Sequence, residues 1–161
     1  MYQRRCRARR SESGVDRDGL NVNERDSGNE ALQVLRTKAE TGDTLAQYEL
    51  ATVLATGIWG EQKPEDAFYW YMKAALRGHA DAMWNAGLQL VEGEGAERDV
   101  EAGLHLIRLA ANKSCYAARC FLAKAYQSGL HGLPQDQEKS EFWRRMANSS
   151  EKVNAQQRSF Q

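Results

Sequence analysis

A register of 36 residues runs through this chain and leaves little freedom in its fold. Gly57, Gly93 and Gly129 recur at that spacing, as do Ala46, Ala82 and Ala118. Leu50, Ala86 and Leu122 stay apolar, and so do Leu54, Leu90 and Tyr126, while Ala51, Gly87 and Ala123 stay small beside them. Farther along come Trp70, Leu106 and Phe142, then Tyr71, Ile107 and Trp143, and Ala75, Ala111 and Ala147 close the unit, with Ala39 one period earlier. A fixed period of this length marks stacked supersecondary units, each too small to bury its apolar face alone.

Within a unit the apolar residues fall at helical spacing: Ala46, Leu50 and Leu54 on one segment, Ala67, Trp70, Tyr71, Ala74 and Ala75 on the next. The glycines at 57, 93 and 129 stand where the first helix must stop, because glycine enters the left-handed region without a Cβ penalty. The small residues at 51, 87 and 123 and at 75, 111 and 147 let helix axes approach closely. Helices A are expected near 44–56, 80–92 and 115–128, helices B near 65–76, 99–111 and 137–147, with turns of about ten residues. The third turn reads as one residue longer, which leaves two registers for the last helix, one residue apart.

Composition agrees with an all-α chain: two prolines in 161 residues and no alternating β-branched runs. The 22 basic and 22 acidic residues cancel, so no global field points to nucleic acid or membrane. No apolar stretch approaches the roughly 18 residues of a membrane span. Residues 1–28 read as a disordered arm in which Arg4, Arg5, Arg7, Arg9 and Arg10 are offset by the acidic stretch Asp16 to Asp26. The polar segment Ser11 to Glu30 lacks the apolar core of a signal peptide, and the odd set Cys6, Cys115 and Cys120 suggests reduced thiols, so a cytoplasmic protein is expected. Residues 29–41 form an N-terminal capping helix, 42–147 hold three units (42–77, 78–113, 114–147), and 148–161 form a polar tail.

Gly78-His79-Ala80-Asp81-Ala82 followed by Trp84-Asn85-Ala86-Gly87 resembles the Sel1-like repeat family, relatives of the tetratricopeptide repeats. The family's second-helix pattern is matched by Ala67, Trp70-Tyr71 and Ala74-Ala75, and its turn pattern by Gly93, Gly95 and Asp99. The first and third turns depart from it, with Gly60 and Gly132 one position late. The resemblance covers about residues 30–147 and implies a right-handed α-α superhelix, a solenoid that acts as an adaptor for protein partners. Some bacterial members are exported and cysteine-rich. This chain lacks their regularly spaced cysteine pairs, so a β-lactam-binding or hydrolytic role carries over poorly.

By analogy with tetratricopeptide spacing, the concave-face positions are Tyr48, Thr52, Asp81, Trp84, Leu88 and Lys124, where aromatic anchors flanked by polar groups suit a bound peptide or helix. Tyr48 and Trp84 serve equally well as packing between helices. Trp59, in the first turn, is either a loop contact or a cover over helix ends. No catalytic site, cofactor or metal is expected. His79, His105 and His131 lack ligand spacing, and Ser149-Ser150-Glu151-Lys152 lacks the partner motifs of penicillin-recognising enzymes. The competing readings are that small hydrolase and an association of the arginine arm with nucleic acid or an anionic surface. Three units sit near the minimum for independent stability, so weak self-association through an end face is also expected. Gly93→Ala should cost about 1 kcal/mol or more in a thermal melt.

Overall fold

The computed structural model describes residues 22–158, and side chains chiefly over 30–149. Among the described residues seven helices follow one another: α1 (Val22–Glu40), α2 (Thr44–Thr56), α3 (Pro64–Leu76), α4 (Ala80–Glu92), α5 (Val100–Asn112), α6 (Tyr116–Ser128) and α7 (Gln137–Arg158). No strand occurs among the described residues. Each helix packs on its neighbours in sequence, so α2–α3, α4–α5 and α6–α7 form three stacked pairs with α1 ahead of them. This is an all-α solenoid of three units.

Local chemistry sets the helix ends. Asp43 Oδ1 accepts the N–H groups of Leu45 and Ala46 at 2.9 and 3.1 Å, and Asp99 Oδ1 accepts that of Ala102 at 3.0 Å. His79 Nδ1 does the same for Ala82 at 3.2 Å, and Pro64 opens α3 where its missing N–H costs nothing. Helices α2, α4 and α6 stop at Gly57, Gly93 and Gly129, with φ of 65°, 78° and 65°.

Several boundaries differ from the sequence reading. The turns are shorter than about ten residues, 57–63, 93–99 and 129–136: Asp99 and Asp136 cap the starts of α5 and α7, and Pro64 starts α3 without a side-chain cap. α1 begins at Val22, ahead of 29, and runs through Gly28 to Glu40. α7 runs on through Arg158, across much of the segment read as a tail, because Glu151, Lys152, Ala155 and Gln156 are strong helix formers. The arginine arm, up to residue 21, and the last three residues lie outside the described residues.

The extra residue of the third turn shifts α7 by one. Ser140, wholly buried, takes the position of Ala67 and Gly103, and Ala147 that of Ala74 and Ala110 rather than Ala75 and Ala111. Aromatic geometry agrees: Tyr69 and Trp70 meet edge to face at 5.2 Å and 77°, and Phe142 and Trp143 at 5.1 Å and 77°. Phe142 therefore matches exposed Tyr69, and Trp143 matches Trp70.

The core is alanine-rich. Ala46, Leu50, Ala51, Ala67, Ala74, Ala82, Ala86, Ile107, Ala110, Ala118 and Leu122 are buried. Two helices come close in the middle unit, where a Cβ on Gly103 would lie 2.6 Å from Gly87 O and 2.7 Å from Val91 Cγ2. A Cβ on Gly87 would lie 2.8 Å from Gly103 O. Backbone meets backbone there, as only glycine permits.

One contact has no counterpart in the sequence reading. Arg119 is 4% exposed, and its Nε donates to Ala111 O at 2.8 Å, Nη1 to Met146 O at 2.8 Å and Nη2 to Ser114 Oγ at 3.1 Å. It ties α5, α6 and α7 together, its charge placed favourably at the C-terminal end of α5. One period from Met83 and two from it, Gln47 Nε2 donates to Ala39 O at 3.0 Å. Ser114, held in the left-handed region at φ 71° where earlier corners have Gly42 and Gly78, is anchored by Arg119.

Gly103→Ala forces α4 and α5 apart and should cost about 1–3 kcal/mol in urea unfolding, without changing the denaturant slope. A loss below that seen for Gly93→Ala would contradict the close-approach argument.

Candidate partner-binding face

Helices α2, α4 and α6 share a register in which 48, 84 and 120 align, as do 52, 88 and 124. Tyr48 is half-buried, its ring stacked on the His79 imidazole at 4.4 Å and 19° and tilted 6.0 Å from Tyr71. The Tyr71 hydroxyl donates to Thr52 Oγ1 at 3.2 Å, and Thr52 Oγ1 donates to Tyr48 O at 3.0 Å. Burial pushes the Tyr71 phenol above its ordinary range, the Thr52 contact opposing it. Tyr48 and Thr52 thus belong to one cluster joining α2, α3 and the start of α4.

Trp84 belongs to a second cluster. It meets Phe121 of α6 edge to face at 5.4 Å, and Phe121 stacks on His131 at 5.1 Å and 23°. Leu88 is half-buried on α4, while Asp81 and Lys124 are exposed on α4 and α6. The structure therefore places Tyr48 and Thr52 in one aromatic cluster and Trp84 in another, with Leu88 half-buried and Asp81 and Lys124 exposed, rather than in one continuous cluster. Both Tyr48 and Trp84 pack between helices and keep part of their surface exposed.

Phe121 and His131 escaped the sequence reading. Phe121 sits one residue past the aromatic position of the earlier units, where Cys120 stands, and its register partners are Glu49 and Asn85. The Phe pattern is therefore invisible at a strict 36-residue shift. His131 adopts φ 55° in the third turn, a conformation the sequence does not announce.

Trp59 folds back onto α1, where a Cβ on Gly28 would lie 3.4 Å from its ring, and remains 40% exposed. It forms one end of an apolar groove of about 790 Å³ between α1 and α2, with Val34, Leu35, Leu45, Tyr48 and Ile58. Among the described residues no group of three His, Cys, Asp or Glu side chains is placed to hold a metal ion. None of the described helices is long and apolar enough to cross a membrane.

Asp81 also touches the chemistry of Cys115, which is 5% exposed at the start of α6. Burial first, and then the neighbouring Asp81 carboxylate, push the thiol up to about 11. The fold favours the protonated thiol, so this contribution to stability is intact below about 9, the thiol's ordinary value, and is lost as pH rises through about 11. Chemical denaturation between pH 8 and 11 should show stability falling, with a smaller fall in Cys115→Ala. An equal fall in both would contradict the assignment.

The Sel1 repeat pattern matches residues 44–79, 80–115 and 117–149. The chitin synthase regulator SKT5 of Saccharomyces cerevisiae is 31% identical over 107 residues, which cover 66% of this chain and 15% of the yeast protein. Among solved structures, c5321, a protective antigen of uropathogenic Escherichia coli strains with an SLR fold, matches at TM-score 0.69 and 30% identity, over 74% of this chain and 25% of that one. A Sel1 repeat protein from Oxalobacter formigenes matches at TM-score 0.67 and 29% identity, over 73% of this chain and 34% of that one. The chain thus spans well under half the length of each of these relatives. All three units match in sequence, and the stack they build is shared with these structures: the chain belongs to the Sel1 repeat family.

Proposed function

We propose that this chain is a protein-interaction adaptor that holds a peptide or helix of a partner protein against helices α2, α4 and α6. Sel1 repeat proteins are in general interaction or regulatory scaffolds, and the yeast relative is itself a regulator. The observation that carries the reading is the surface of these helices. Tyr48, Trp84 and Phe121 stand half-buried in turn along the stack, each a rigid flat ring held by a neighbour, with exposed Asp81 and Lys124 beside them. Anchored rings of this kind lose little conformational freedom on binding, and flanking charges set the register of the bound chain.

Thr52 and Leu88 follow Tyr48 and Trp84 by one helical turn on α2 and α4, and Trp59 lines the α1–α2 groove together with Tyr48 and Thr52. The role requires no catalytic residue and no cofactor. A reducing compartment such as the cytoplasm suits it, since Cys115 and Cys120 stand as free thiols.

Affinity capture from the native host with the full chain tests the reading, with Asp81→Lys/Lys124→Glu as control. Both residues are exposed, but Asp81 also stands in the first turn of α4 beside Cys115, so capture is compared at a temperature below the measured melting transition of both proteins. A partner retained by the parent and weakened by about tenfold, or ~1.4 kcal/mol, in the variant supports this face. A partner held equally by both would move the site elsewhere.

A further inference from the structure

The corner joining the first unit to the second is closed by a residue type that gains a proton near neutrality. Asp43, His79 and Cys115 share one register, each immediately before a helix A. Asp43 caps α2 with its carboxylate, and Cys115 makes no side-chain cap. His79 caps α4 through Nδ1, which accepts the Ala82 N–H at 3.2 Å. A ring nitrogen accepts only while it carries no proton, so this cap requires a neutral imidazole with its hydrogen on Nε2. The imidazolium donates from both nitrogens. Its Nδ1–H would face the Ala82 N–H, and its charge would lie at the positive end of the α4 dipole.

The same ring supports the face formed by helices A. It is half-buried and stacks on Tyr48 at 4.4 Å and 19°, and the turn of α4 that it caps carries Asp81. Its backbone is held on both sides: the His79 N–H donates to Ala74 O and its C=O accepts from Met83 N–H, each at 3.1 Å. The side chain is therefore the part that responds. Around it stand Tyr48 of α2, with Tyr71 of α3 6.0 Å behind that ring, and Asp81 of α4, whose carboxylate lies against the Cys115 thiol before α6. Lys113, after α5, has its Nζ 3.5 Å from a Cβ built on Gly78. Of these residue types only an imidazole ordinarily changes charge between about pH 5 and 8. The Asp81 carboxylate attracts an imidazolium without relieving the opposition of Nδ1–H to the Ala82 N–H.

We infer that His79 is a proton-operated latch at the α2–α4 joint: gaining a proton turns its ring, releases the cap of α4 and weakens the hold of the helix A face on a partner as pH falls. The turn of the ring re-seats Tyr48, which lies on it, and loss of the cap loosens the turn that bears Asp81. The effect on binding rests on the adaptor reading, whereas the release of the cap does not.

Nuclear magnetic resonance of the full chain, labelled with nitrogen-15 and titrated from about pH 8 to about 5, tests the latch without a partner. At the upper end the His79 ring nitrogens should read as the form protonated on Nε2 alone. On acidification the Ala82 amide and Tyr48 ring resonances should shift with the same midpoint as the His79 ring. Protection of the Ala82 amide, corrected for intrinsic exchange, should fall about fivefold. His79→Asp copies Asp43 and should keep Ala82 capped and unchanged across the range, and His79→Asn provides a second, uncharged cap. Ala82 and Tyr48 resonances that stay fixed while His79 gains its proton would overturn the inference, as would a proton on Nδ1 at the upper end. So would an Ala82 transition that persists in both variants, which would assign it to another group. Because these resonances need no partner, failure of the adaptor reading leaves the test intact. A partner captured equally at both ends of the range, with the Ala82 transition present, would overturn the control of binding.

Discussion

The approach of α4 to α5 at Gly87 and Gly103 sets the geometry from which the rest of the stack follows. With each glycine's Cβ position within 3 Å of the other's carbonyl oxygen, the two backbones leave no room for a side chain between them. That closeness brings Ile107, Val91 and Ala86 into one buried layer. The outer units use alanine, and finally Ser140, at the positions matching Gly103 and keep the same order of layers. Small residues at the helix crossings leave large ones free to work elsewhere. Much of the aromatic mass therefore lies at the margins of the core, half-exposed, rather than inside it.

That distribution links fold to function. A unit packed on alanine and glycine buries little apolar area, so stability depends on stacking and on polar fastenings between units. Gln47 and Arg119 are two such fastenings, each closing a helix end left open by the preceding unit. The ends of the stack differ. Around α7 the exposed Arg144 and Arg145 suit water, whereas the α1 end presents Val34, Leu45 and Ile58. Both the row of rings on helices A and the groove at the α1 end are apolar surface in excess of what the fold itself consumes.

Periodicity made most of the fold legible. Gly57, Gly93 and Gly129 marked the ends of α2, α4 and α6 because each left-handed stop has a single residue type that fits it without cost. Helices α3 and α5 began within a residue of the expected positions. What escaped was whatever broke the period. The extra residue of the third turn hid the match of Ser140 to Gly103 and of Ala147 to Ala110. Phe121 lay one place off the aromatic row, and Arg119 replaced Met83 with a cation whose partners, Ala111 O and Met146 O, belong to two other helices. Such contacts depend on tertiary distance, which no local pattern encodes. The α1–α2 groove escaped for a related reason: no local pattern tells that Val34 and Leu45 are more than half exposed.

The most direct test of the adaptor account is a photo-crosslinker introduced singly into the full chain in its native host. Positions 81 and 117 lie on the exposed surface of α4 and α6, and positions 69 and 109 on the exposed surface of α3 and α5. The account predicts a discrete protein adduct from 81 and 117 and none from 69 and 109. Adducts from 69 and 109 alone would place the working surface on helices B and contradict it.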